Sequence, residues 1–203
     1  MVDSADVFLI ARVSGRVEPI DRIRIAATRI GGSKDREGRT VETSDAIGVI
    51  RYSENAVLFN DGWVAVVRLE PARIDWRRPD GQWLAVTSLN LPSVRLDARQ
   101  KAWYLRENPT SAERSAESLV WPATMPLLRG GAFATADGTV IAERSQDADA
   151  NYPRYVLIDR HGRAEGEIRL RTGQRILGVS SKWILLLSTD DDGLQHLALH
   201  PWP

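Results

Sequence analysis

The 203-residue chain contains no cysteine. Disulfides, thiolate metal sites and a cysteine nucleophile are excluded together. Net charge is missing too: 27 Lys and Arg balance 27 Asp and Glu, which leaves no global basic surface for nucleic acid or an anionic membrane. No apolar run approaches the roughly 20 residues that span a bilayer. The opening "MVDSADVFLIARVSGR" carries acidic residues where an export signal carries basic ones, and its apolar run "VFLIA" is short. As written, the chain is expected in the cytoplasm. Phosphate-binding loops, dinucleotide fingerprints, zinc-protease helices and the G-x-S-x-G elbow are absent as well.

Histidine is scarce. His161 lies in a turn, while His196 and His200 stand four apart on one face of a strand, a spacing that does not suit a metal pair. "STDDDG" has three consecutive aspartates and no distant glutamate, so it reads as a hairpin turn rather than a calcium loop. No cofactor or metal is expected.

What the chain does have is a repeat. Asp61-Gly62 heads "DGWVAVVR" and Asp137-Gly138 heads "DGTVIAER", and each segment ends in an arginine, Arg68 or Arg144. A second glycine turn follows each, at Gly81 and Gly162. Arg73 and Arg154 lie eight residues before that glycine, and Leu89 and Leu170 eight residues after it. Loops absorb length changes and strand registers do not, so the longer "SQDADANYP" of the second unit fits a true repeat. Each unit reads as a four-stranded antiparallel meander, with Asp-Gly supplying the positive backbone angles of tight hairpins. The first is "NAVLF", "WVAVVRL", "ARIDWRR", "WLAVTSLNL"; the second is "GAFATA", "TVIAER", "RYVLIDR", "AEGEIRL".

The pattern continues at both ends. "VFLIARVSGRVEPIDRIRI" matches strands three and four, with Gly15 as the turn and Ile23 in the place of Leu89 and Leu170. "RILGVS", "WILLLSTD" and "LQHLALHPW" match strands one to three. Two insertions interrupt the units. Residues 28–45 are charged and read as an exposed loop; residues 93–125 contain a short helix, Ala98 to Glu107, with Asp97 as N-cap.

Repeated four-stranded sheets point to β-propeller blades. The expected fold is all-β: one partial β-propeller domain over 1–203, about three four-stranded antiparallel blades plus the insertion helix. About three blades fall short of the four to eight of a closed ring. A larger propeller of which this is the C-terminal half, or a second copy, is the expected complement.

"DGWVAVVRLEPARIDWRRPDG", "YVLIDRHGRAEGEIRL" and "RILGVSSKWILLLSTDDDGLQHLALH" together resemble the C-terminal part of bacterial six-bladed TolB-like β-propeller proteins. The resemblance covers roughly residues 5–200 and rests on blade-structural motifs. It implies exported proteins or lipoproteins without an established activity, hence a periplasmic or exported location if a longer chain precedes Met1. The family's N-terminal blades and export signal are not in this sequence.

The site expectations follow from the repeat. Arg68, Arg73, Arg144 and Arg154 either bridge neighbouring blades or ring a channel mouth and hold an anionic ligand. Trp63, Trp76, Trp83 and Trp183 read as inter-blade packing, whereas Trp103 and Tyr104 are expected to be exposed or to cap a channel. Asp75 and Glu143 are candidate acid and base across a channel. The leading function is a non-catalytic binding or scaffold module for a protein or a small anionic ligand. The alternative is a metal-dependent hydrolase or lactonase of the propeller type, which needs an acidic metal cluster facing the channel.

Overall fold

A computed structural model of the chain describes residues 3–11, 14–25, 28–34, 37, 40–46, 53–84, 88–107, 121–122, 124–149 and 152–202. Its hairpins are built by glycine. Phe59 N–H donates to the Trp63 carbonyl at 2.8 Å and Gly62 N–H to the Phe59 carbonyl at 3.0 Å. The same two bonds recur over Arg78–Gln82, Thr135–Thr139, Asp159–Arg163 and Asp190–Leu194. Each is a three-residue loop whose last residue is a left-handed glycine, the bulged alternative to a two-residue turn. Positive φ falls on glycines alone among the described residues, with Gly62 at 84° and Gly138 at 94°. Within each Asp-Gly the glycine supplies the positive angle, as expected, and the aspartates act beside it. They keep negative φ, and Asp80 uses its carboxylate to accept the Gln82 N–H at 2.9 Å.

The chain runs β1 (Asp3–Ile10), β2 (Val17–Ile25), β3 (Thr28–Lys34), β4 (Thr40–Ala46), β5 (Asn55–Leu58), β6 (Val64–Leu69), β7 (Ala72–Arg77), β8 (Val94–Arg95) and α1 (Ala98–Glu107). It continues with β9 (Thr124–Met125), β10 (Leu128–Ala134), β11 (Val140–Arg144), β12 (Arg154–Ile158), β13 (Ala164–Arg169), β14 (Gln174–Val179), β15 (Trp183–Thr189) and β16 (Gln195–Pro201). Among the described residues there are six antiparallel sheets; β3-β4 and β8-β9 fall in the two insertions, and the other four follow the repeat in chain order: β1-β2, β5-β6-β7, β10-β11-β12-β13 and β14-β15-β16. The repeat holds at the level of hydrogen bonds. Leu89 N–H donates to the Ala72 carbonyl and Leu170 N–H to the Pro153 carbonyl, while Ile23 pairs with Ala5. In the first unit the fourth strand is described only at its ends, where Trp83 bridges Arg77 and Ser88 bridges Arg73.

Strand alternation sends successive side chains to opposite faces, and both faces of the middle sheets are used. Ala65, Val67, Ile74 and Trp76 on one sheet pack with Leu128, Val140, Ala142, Val156 and Ile158 on the next. The intervening residues Ile141 and Tyr155 point the other way, into a second core with Ile176, Ile184 and Leu186. Full burial of such side chains stabilises by about 1.5–3 kcal/mol each. The β1-β2 hairpin joins through ions instead: Arg68 pairs with Asp21 and donates to the Arg22 carbonyl at 3.0 Å, and Arg77 pairs with Glu18. The four repeat sheets thus stack in sequence order, and among the described residues none of them closes on itself.

Three expectations are corrected. Within 28–45, β3 and β4 form a paired hairpin, Thr28 opposite Ala46 through Lys34 opposite Thr40, instead of an open loop. β-branched Thr, Ile and Val outweigh the charges there. Trp83 and Trp183 lie exposed while Trp76 is buried and Trp63 packs edge-on against it. Trp103 and Tyr104 are buried rather than exposed: they form a small core with Leu96 and Met125. Helix α1 has the expected bounds, and Asp97 caps it by accepting the Gln100 N–H at 2.8 Å.

Candidate functional site

The four repeated arginines fall into two equivalent pairs. Arg68 is the penultimate residue of β6, opposite Arg73, and Arg144 ends β11 at the corresponding place with Arg154 beginning β12. Both pairs point from their sheet towards the one before it. Arg68 reaches the Arg22 carbonyl, and Arg144 reaches the Pro92 carbonyl at 3.2 Å. Arg68 therefore bridges its sheet to β2, and Arg144 ties its sheet to the segment before β8.

The surroundings of the two pairs differ. Asp75 stands between Arg68 and Arg73, accepting from Arg68 Nε at 2.8 Å and Arg73 Nε at 2.7 Å. Burial pushes its carboxyl up, but the hydrogen bonds from Arg73 and Arg68 outweigh that and hold it below the usual range. Glu54 and Asp21 complete the neutralisation of Arg68. In the second unit the residue at the place of Asp75 is Val156, opposite Ala142 as Asp75 is opposite Val66. Arg144 keeps Glu167 at 3.1 Å and Arg154 keeps Asp147 at 2.7 Å. Their Nε atoms are buried and have no acceptor among the described residues. Aligning the two units already places Val156 against Asp75, which is the signal that singles out this pair.

Arg144 and Arg154 line a cleft of about 280 Å³ closed on one side by α1 and the segment before it. Gln100 holds the cleft's loop in place: its side chain donates to the Gln146 carbonyl at 3.1 Å and accepts the Ala148 N–H at 2.7 Å. Trp103 and Tyr104 sit behind, anchoring the helix through their small core and the Trp121 ring. Arg95 and Arg99 add positive charge at the rim, where Arg99 pairs with Asp149.

A second cleft, about 640 Å³, lies between the β10–β13 and β14–β16 sheets. Glu143 faces it, pushed up by burial against the pull of Arg129 and Arg175. Burial and the Glu143 charge drive Tyr155 up to about 12, although its hydroxyl accepts the Ile176 N–H. Among the described residues Glu143 is the one carboxylate lining this cleft, and Asp75 lies on the far side of a neighbouring sheet. The two candidate acid–base carboxylates are not brought together. Elsewhere, His196 pairs with Asp190 at 2.7 Å in the turn. Among the described residues, no three His, Cys, Asp or Glu side chains gather where they would share a metal ion. No helix among them is long and apolar enough to cross a membrane. Comparison with known protein families and with curated proteins gives no match for the chain.

Proposed function

We propose that the chain is a non-catalytic binding or scaffold module of the β-propeller type, the C-terminal half of a six-bladed ring. One observation carries this reading: the stack ends in two faces whose counterparts inside the molecule are covered. Aligned by their hairpins, Leu197 and Leu199 on β16 take the places of Ile74 and Trp76 on β7. The inner pair is 0% and 2% exposed, whereas the leucines are 66% and 64% exposed. At the other end Phe8 and Ile10 on β1 take the places of Val156 and Ile158, yet are 52% and 65% exposed against 3% and 0%. Further sheets of the same repeat are the occupants that fit both faces, because each face already has its complement in the same register within the chain. The alternative, a metal-dependent hydrolase, has no acidic cluster to rest on among the described residues.

Light scattering tests the reading. Lacking those sheets, the chain alone associates through its end faces, and Leu197→Glu with Leu199→Glu returns it to monomer mass with an unchanged circular dichroism spectrum. A discrete dimer abolished by those substitutions assigns the faces to a second copy instead. A monomer at every concentration refutes the docking role.

A further inference from the structure

We infer that the Arg144–Arg154 cleft binds the carboxylate of a small organic acid. The inference is independent of how the stack is completed. Its basis is the chain's own internal comparison. In the first unit two arginines at these positions hold one carboxylate through their Nε–H groups, both within 2.8 Å of Asp75. In the second unit the same backbone positions and residue types recur, but Val156 stands where Asp75 does, and Glu167 opposite it and Asp147 in the loop pair with the outer nitrogens of the two arginines, not with their Nε atoms. The two Nε–H groups that bind it in the first unit are the ones left without acceptors, among the described residues, in the second. A buried guanidinium donor without a partner is costly, and a carboxylate is the acceptor whose planar geometry matches it.

Val156 is 3% exposed and fills the internal place, so the ligand carboxylate enters from the cleft that both arginines line. Arg154, held by Asp147 at 2.7 Å and 15% exposed against 9% for Arg144, is the more accessible of the two from the cleft. The volume near 280 Å³ sits at the small end of ligand pockets, which suits an organic acid of few carbons and not a folded partner's loop. At the rim Arg95 adds positive charge, while Arg99 is already paired with Asp149 and Asp97 and Asp147 share the lining, so the cleft suits a single carboxylate. The pair Gln100 and Asp97 fixes the helix that walls the cleft, so the site is held in shape before the ligand arrives.

Thermal melting with succinate as probe, at constant ionic strength against chloride, tests this. Wild type rises by about 4 °C at ten times Kd. Val156→Asp supplies the missing carboxylate from within. It melts higher than wild type without succinate and no longer responds to it. Arg154→Gln, which leaves the core untouched, also loses the response. A Val156→Asp variant that melts lower than wild type shows the arginines to be already satisfied and overturns the site. So does a wild type indifferent to succinate, and a response to inorganic phosphate as large as to succinate overturns the carboxylate assignment.

Discussion

Glu143 illustrates how one side chain reports on its sheet. It stands on β11 at the place where Val67 stands on β6, so the second unit carries a carboxylate where the first has an apolar side chain. Burial raises its pKa above the ordinary value of 4.5, with Arg129 at 3.5 Å opposing. The folded chain then holds this proton more tightly than the unfolded one. Stability from that difference is fully present below the unfolded pKa and is lost as pH rises through the folded pKa. Glu143→Gln is expected to be more stable than wild type at pH 7 and equal to it below pH 4, read from urea midpoints at both values. A variant weaker at pH 7 gives Arg129 and Arg175 the upper hand. Residue by residue, the sequence was a good guide to the arginines and a poor one to their partners. Arg68, Arg73, Arg144 and Arg154 are visible in the repeat, but Glu54 and Asp21, which neutralise Arg68, come from segments outside it.

At the scale of elements, the hairpins were legible because their demand is local: a left-handed residue at a fixed offset admits glycine and little else. The turns also reach across sheets, which a single strand pattern does not reveal. Arg160, in the β12–β13 turn, pairs with Asp61 in the β5–β6 turn at 2.5 Å and lies 4.5 Å over the Trp63 ring. Gly138 sits beneath it: a Cβ there would come within 2.8 Å of Arg160 Nε, whereas a Cβ at Gly193 meets nothing within 4 Å. Both glycines have positive φ, so alanine costs each about 1–2 kcal/mol in backbone strain. Gly138→Ala is expected to cost more than Gly193→Ala by about 0.5–2 kcal/mol, the range of a cation–π contact with its ion pair. Equal costs in denaturant titration would mean the bridge contributes nothing. The insertion was legible in part. Asp97 and the helix bounds are local features, but the burial of Trp103 and Tyr104 depends on Met125, brought in by the β8–β9 pairing. No spacing within the helix encodes that contact.

Across the whole molecule, stability should be graded by how many faces of a sheet are covered. The β10–β13 sheet has an apolar core on each side, built by Val140, Ala142 and Ile158 on one and by Ile141 and Tyr155 on the other. The β14–β16 sheet is covered on one face only, and the β1-β2 hairpin is tied to the stack by ion pairs through Asp21 and Glu18. Local opening needs less free energy where fewer apolar contacts are broken. Native-state amide exchange is therefore expected to show β11 and β12 opening only with global unfolding, and β16 and β1 opening earlier. Side-chain truncation should follow the same order. Trp76→Ala removes a fully enclosed ring and costs about 3–5 kcal/mol. Leu199→Ala, at the equivalent place on the open face, costs under about 0.5 kcal/mol in a monomer. Once that face is covered, the same truncation rises to about 2–5 kcal/mol and β16 amides slow towards those of β12. Exchange measured at low and high protein concentration separates the two states. If β16 is as protected as β12 in dilute monomer, the face is not waiting for a partner, and the stack is complete as it stands.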